Sequence, residues 1–385
     1  MNQPVVSTAS TTNGFATLSG HFVLHPGQSA AIVGTRPIAA ADLLSRLLKG
    51  QHFAAAQARL GHVFTLCAHA HRRTCALAFA AALPTSISAT DSDRTDVLKP
   101  PSLALLRWET ARDHLRSIAL EWPQRLGQPS LQDEAMHWLR TCPLPLGGAT
   151  QLSNVEVWAS LAALHDCLAQ DADFPAHCLA RWRTQGKELS VPLRALDVLS
   201  HDSAAQQQQL RLLGQAIAST PDFTHSPQWQ GACAETGPWT RLRRTHQPAD
   251  TQALSAWTRL EARWQDLLDI AAAPALADAA THDPLLSSGA LALGDGQAIA
   301  WCEMARGLLL HWVQLDSQGA VAHYRVLSPT EWNFHPQGAL ALALTALAPQ
   351  DTAAAQTLAA AFDPCVECSV QSAAPGTGEQ EPPHA

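Results

Sequence analysis

Two clusters of cysteine near opposite ends of the chain constrain its fold more than any other feature. One is Phe362-Asp363-Pro364-Cys365-Val366-Glu367-Cys368, and the other is Leu66-Cys67-Ala68-His69-Ala70-His71-Arg72-Arg73-Thr74-Cys75. Two thiols separated by two residues can face a single metal ion. Pro364 places the C-terminal pair just after a helix stop, where the chain is turning. For the two clusters to share a site, both ends of the chain must return to one place.

The hydrophobic pattern describes a mostly helical protein with a small sheet made from both ends of the chain, an α+β fold. Gly20 to His25 and Ala30 to Val33 read as short strands around a turn at Pro26-Gly27. Pro37 to Leu60 reads as helix, with Leu43, Leu44, Leu47 and Leu48 on one side. Cys75 to Leu83 is apolar all round, as in a buried helix, with the thiol–histidine cluster at its start. Pro84 to Pro101 reads as a loop. Trp108, Ala111, Leu115, Ile118 and Trp122 recur at helical spacing, with Arg112, Asp113 and Arg116 on other faces and Pro123 as the stop. A helix capped by Ser153 or Asn154 carries Val157, Leu161, Leu164 and Leu168 inward. Another carries Trp257, Leu260, Trp264 and Leu267. Beyond Gln297 the period changes. Ala298–Glu303, Leu308–Leu315 and Ala320–Val326 read as strands, with a hairpin turn at Asp316 to Gly319. A last helix runs from near Asp351 to just before Pro364. With no internal repeat and no linker, residues 1–371 are expected to form one domain, and 372–385 a disordered tail rich in Pro, Gly and Glu.

Composition removes several function classes. Charged residues are 15% of the 385, against about 25% in an ordinary soluble domain, which points to closely packed helices. A net charge of −8 argues against a nucleic-acid partner, because phosphate binding requires a basic face. No apolar run approaches the roughly 20 residues of a membrane span. Met1-Asn2-Gln3-Pro4 lacks the basic and apolar regions of a secretory signal. A cytoplasmic location is therefore expected, with reduced thiols. Of the nine cysteines, Cys142, Cys167, Cys178, Cys233 and Cys302 stand singly and read as small packing residues.

Taken by itself, the Cys365/Cys368 pair is compatible with zinc, with a thiol switch or with no function at all. Cys75 reads as a packing residue of its helix. His69 and His71 are candidate metal ligands or proton carriers, or simply a polar first turn. Arg72-Arg73 reads as a solvated or ion-paired surface, or as a docking patch for an acidic partner. Asp363 is placed to brace the turn that aims Cys365.

Three strings then occur in order: Glu303-Met304-Ala305-Arg306-Gly307-Leu308 followed by His311-Trp312, Ser328-Pro329-Thr330-Glu331-Trp332-Asn333, and Asp363-Pro364-Cys365-Val366-Glu367-Cys368. Upstream lie Glu235-Thr236-Gly237-Pro238 with Arg241, then Thr35-Arg36-Pro37 and Leu66-Cys67. Together these resemble the large subunit of nickel–iron hydrogenases over most of residues 14 to 370. Two departures stand out. Catalytic large subunits carry a thiol pair in both motifs, whereas here Ala70 stands three residues after Cys67. Ser369-Val370-Gln371 replaces the region where a maturation protease cuts in the family. The chain is also short for a catalytic subunit. In these respects it is similar to the HoxV/HupK group of hydrogenase formation proteins.

The resemblance implies a helical bundle like that of the hydrogenase large subunit. It also implies a non-catalytic scaffold that transiently carries an Fe(CN)2CO fragment to the hydrogenase large subunit, with HypC/HypD-type maturation proteins as further partners. The implied metal ligands are Cys67, Cys365 and Cys368, with His69 and His71 as further candidates. Arg306, Glu303 and Asp363 would surround them. Arg306 would sit over the diatomic ligands as the family arginine does, or else be a structural arginine paired with Glu303 or another acid. Glu235 and Trp332-Asn333 would shape the pocket floor. With one bridging thiolate missing, nickel is not expected. The alternatives are a divergent nickel–iron hydrogenase, or an interaction protein holding zinc or no metal.

Overall fold

In the computed structural model, residues 20–34, 44–83, 98–126, 131–147, 152–170, 173–246 and 254–372 are described. The chain begins with β1 (His21–Leu24) and β2 (Ile32–Val33). Helices α1 (Phe53–Val63), α2 (Ala68–Ala82) and α3 (Leu103–Arg116) follow, then a π-helical turn (Ser117–Glu121) and α4 (Trp122–Arg125). Next come α5 (Gln132–Thr141), α6 (Asn154–Gln170), α7 (Asp173–Lys187), α8 (Ser203–Ser219), α9 (Pro238–His246) and α10 (Ala256–Ala272). Strands β3 (Ser288–Gly294), β4 (Gln297–Met304), β5 (Gly307–Leu315) and β6 (Val321–Leu327) precede α11 (Pro329–Asn333), α12 (Ala339–Thr345), α13 (Thr352–Phe362) and β7 (Glu367–Val370).

The two ends of the chain do meet in one sheet, ordered β2-β1-β7. β1 runs parallel to β7, with His21 opposite Glu367 and Phe22 opposite Cys368. A parallel pair needs a crossover connection, and here almost the whole chain supplies it. The second sheet is an antiparallel meander, β3-β4-β5-β6. Helix α2 packs on β3, β4 and β5, and α8 also packs on those three strands. With helices on the sheet, β5 is buried at nearly every position, which explains its continuous apolar run.

Helix α10 is the hub of the helical layer and touches α3, α6, α7, α9 and α13. Ser255 and Thr258 close a capping box at its start, satisfying backbone donors the helix leaves open. Of its expected apolar face, Trp257, Leu260 and Leu267 are buried and Trp264 is half-buried. Arg259, Arg263 and Asp266 on the same helix are buried too, so each must find an opposite charge.

Val157, Leu161, Leu164 and Leu168 line the inner face of α6, and Ser153 exchanges hydrogen bonds with Glu156 at its start. The Asp316 turn forms, with Gly319 at φ +76°, and α13 ends one residue before Asp363. Other expectations are corrected. The helix expected from Pro37 to Leu60 is broken at Gly50, because Gly50 and Gln51 hydrogen-bond to Val321 of β6. Pro123 lies in the first turn of α4 rather than ending the preceding helix, a position where a proline is tolerated. Cys75 lies in the middle of α2. Strands β3 and β7 are not among the expected strands, and the single small sheet expected is two: the expected strands beyond Gln297 pair with β3, and only β7 pairs with the N-terminal strands. Arg73 is buried, donating to Ser288 Oγ and the Pro101 carbonyl. Thr35-Arg36-Pro37, Leu43, most of the expected loop before Pro101 and the tail beyond Ser372 lie outside the described residues. Among the described residues, no helix is long and apolar enough to cross a membrane.

Candidate metal site

Cys67 is the residue just before α2, and Cys365 follows the turn after α13. They line the same cavity, of 310 Å³, together with His71, Met304, Arg306 and Thr330. The Cys67 side chain is buried. Cys365 is half-buried and lies 2.9 Å (Sγ) from Thr330 Oγ1. Thr330 belongs to the Ser328–Asn333 string, so the sequence did carry a signal for it.

A line of alternating charge holds this wall in place. Arg306 Nη1 donates to Asp113 Oδ2 at 3.1 Å. Its Nε lies 3.1 Å from Asp363 Oδ2, a charge contact whose N–H is not aimed at the oxygen. Arg263 Nη2 lies 2.9 Å from the same oxygen, and Ser117 Oγ donates to Asp363 Oδ1 at 3.1 Å. Burial alone would raise the Asp363 carboxyl, but Arg263 and Arg306 outweigh it and hold the group below the usual carboxylate range. Burial likewise opposes the charge on Arg306, and Asp363 and Asp113 overcome it. Asp363 adopts the left-handed backbone (φ 45°) at the end of α13, as aspartate can. It is therefore a brace of fixed shape and charge immediately before Pro364 and Cys365.

The other face of Cys67 is acidic. Glu109 accepts the backbone N–H groups of His69 and Ala70 at 2.8 and 2.9 Å, capping the open donors of α2. Burial first, then Asp113, pushes the Glu109 carboxyl up to about 8. Burial, then Glu109, Cys365 and Asp113, raise Cys67 well above an ordinary thiol. Glu109 and Asp113 were missed as site residues because α3 was read as amphipathic. It is in fact buried at every position from Leu103 to Leu115 except Leu105, and its charges point at partners rather than at water.

The remaining candidates separate. Cys368 is half-buried in β7 and does not line the cavity. Burial raises its thiol to about 11, opposed by a contact from Arg125. His69 also lies outside the lining and meets Trp108 edge-on, and burial lowers its ring to about 4. His71 lines the cavity, stacked on Phe64 with centroids 3.7 Å apart. Glu303 does not pair with Arg306. It binds Arg244 through both oxygens, at 2.9 and 2.8 Å. Glu235 is held by Arg259 at 2.6 Å, away from the lining, and Asn333 accepts from the Thr236 N–H. Cys142 and Cys167 are half-buried, and Cys233 and Cys302 are buried. Among the described residues, no three His, Cys, Asp or Glu side chains stand ready as a complete metal cage. The cavity instead presents two thiols, with Met304 and a guanidinium beside them, a donor set that suits a soft metal bringing ligands of its own.

The chain is similar to known proteins over most of its length. The nickel-dependent hydrogenase family model matches residues 253–371. The hydrogenase expression/formation protein HoxV of Cupriavidus necator is 38% identical, over 92% of this chain and 96% of its own. HupK of Azotobacter vinelandii, also a hydrogenase expression/formation protein, is 30% identical over 85% of this chain and 90% of its own. The nickel–iron–selenium hydrogenase of D. vulgaris Hildenborough superposes with a TM-score of 0.51 at 15% identity, over 87% of this chain and 92% of that one, a likeness of fold. The chain belongs to the HoxV/HupK family of hydrogenase expression/formation proteins.

Proposed function

We propose that this protein is a non-catalytic maturation scaffold that docks an Fe(CN)2CO fragment between Cys67 and Cys365 and passes it to a hydrogenase large subunit. HypC/HypD-type proteins are its partners for loading. The observation that carries this reading is the convergence of both thiols and Arg306 on one cavity. Counted at the roughly 30 Å³ share of a water molecule for each heavy atom, three diatomic ligands and one iron need roughly 200 Å³. The cavity of 310 Å³ admits them.

The residues define the chemistry. Cys67 waits as a neutral thiol, since burial and its acidic neighbours disfavour the thiolate. Docking a ferrous centre displaces that proton, so loading releases protons and is favoured by rising pH. Arg306 offers N–H donors to the partly negative nitrogen of bound cyanide. Its own ion pairs keep the guanidinium in place, so little orientation entropy is lost on docking. Two thiolates suffice for a fragment that carries three ligands. Capturing nickel as well needs more bridging sulfur, and the backbone at Ala70 is instead capped by Glu109.

The test is an infrared spectrum of protein purified without oxygen, paired with elemental analysis. Bands of metal-bound carbon monoxide and cyanide with iron and without nickel are expected. Stoichiometric nickel beside iron would make the chain a hydrogenase subunit, and full-occupancy zinc without diatomic bands would make it an interaction protein.

A further inference from the structure

An arginine beside a carboxylate ordinarily closes a fork of two parallel N–H···O bonds. Three buried pairs of this protein do so through Nε and Nη2. Arg107 holds Asp283 at 2.7 and 2.9 Å, Arg259 holds Glu235 at 2.6 Å through each nitrogen, and Arg241 holds Asp266 in the same way. Arg306 and Asp363 leave this fork open. Arg306 Nε and Asp363 Oδ2 are 3.1 Å apart, yet both atoms are buried without a hydrogen-bond partner. A buried polar atom left unpaired is costly, so something must keep the pair from closing.

Ser117 is placed to do it. Its side chain is fully buried, and its Oγ donates to Asp363 Oδ1 at 3.1 Å. That bond holds one of the two oxygens a fork needs, and it sets the plane of a carboxylate whose own torsion is soft. The backbone brings Ser117 there. Pro123, in the first turn of α4, has no N–H for the Ala119 carbonyl four residues earlier. The helix widens into the π-helical turn instead, and the Trp122 N–H bonds the Ser117 carbonyl five residues back. Such single π turns within helices frequently mark functional sites.

We propose that Ser117 is a positioning residue for the cargo: it turns the Asp363 carboxylate out of the plane of the fork, and the Arg306 guanidinium thereby keeps the orientation in which it lines the cavity. Without the serine hydroxyl, the carboxylate rotates and Arg306 closes onto Asp363 as the other three arginines close onto their partners. What Arg306 meets in the cavity rests on the carrier reading; the open fork does not.

Two measurements on the full chain separate these parts. In metal-free protein, NMR of the arginine Nε–H groups should find the Arg306 proton unbonded in the parent, with Arg306→Lys identifying the signal. In Ser117→Ala it should move downfield, to where the protons of Arg107, Arg241 and Arg259 resonate. Ser117→Thr, which keeps the hydroxyl, should stay with the parent. A hydrogen-bonded Arg306 signal in the parent, or no movement in Ser117→Ala, overturns the proposal. So does a Ser117→Ala protein that fails to fold, because the closed fork is expected to replace the lost bond. In loaded protein, Ser117→Ala should keep its iron and shift the cyanide bands, and Ser117→Thr should leave them in place. Loss of iron in Ser117→Ala, unmoved bands, or the same shift in both variants would make Ser117 a packing residue and overturn the proposal. If the parent carries no diatomic bands, the carrier reading fails together with the effect on cargo, and the NMR result still decides whether Ser117 holds the fork open.

Discussion

Asp363 lies 3.1 Å from Arg306, which lines the cavity, and it does so from a left-handed backbone at the end of α13. The pair ties the strand turn that carries Arg306 to the turn that carries Cys365. Asp363→Asn keeps the left-handed conformation, which asparagine also tolerates, and removes only the charge. Arg263 and Arg306 are then buried without their shared counter-ion, a loss of about 3–5 kcal/mol. Denaturant unfolding measures it. Asp363 has a depressed carboxyl, so its contribution is present above the unfolded value of about 4 and disappears as pH falls through the folded value. The gap between parent and variant should therefore close in acid. A gap that stays constant with pH would remove the charge from the account.

Glu109 titrates in the opposite sense. Its carboxyl is raised from 4.5 to about 8 by burial and Asp113. A group bound more tightly to its proton in the folded state stabilises below its unfolded value and loses that contribution as pH rises through the folded one. Between pH 4.5 and 8 the metal-free parent should lose stability relative to Glu109→Gln. Unfolding midpoints of the two proteins across that range check it, and parallel curves would contradict it.

The thiols make unequal predictions. Cys67→Ser and Cys365→Ser should each abolish the metal-bound cyanide and carbon monoxide bands. Cys368→Ser should keep them, because that side chain is not part of the cavity wall, and Cys142→Ser should be silent. Iron content and infrared intensity, measured on the same samples, give the answer. Loss of iron in Cys368→Ser would mean that the turn between Cys365 and Cys368 rearranges when cargo docks.

Gly307 follows Arg306 with φ +128°, and a Cβ there would stand 2.8 Å from the backbone carbonyl carbon of Thr236. Gly307→Ala must move one of the two segments. Strain of this kind costs on the order of 1–3 kcal/mol, and the displacement falls on Arg306. A lower melting temperature together with shifted cyanide bands is expected. Unchanged values for both would show that the close approach is not needed.

Local patterns in the sequence determined much of this protein. The spacing of Val157, Leu161, Leu164 and Leu168 made α6, the Asp316–Gly319 turn made a hairpin, and the stop at Pro364 ended α13, because each depends on neighbours within a few residues. The apolar runs around Pro26 marked strands at one end of the chain, but β7 at the other end was not legible, and the strands read beyond Gln297 form a separate sheet, because parallel pairing across the whole chain leaves no local pattern. Tertiary structure alone decided which charges are buried together. Arg306 and Asp113 stand 193 positions apart, and no periodicity shows that the polar face of α3 meets an arginine instead of water. It also separated Cys365, in the cavity, from Cys368, held in β7. The spacing of two thiols permits a shared metal, but the backbone pairing of Cys368 with Phe22 of β1 holds that residue in the sheet while Cys365 stays in the turn before it.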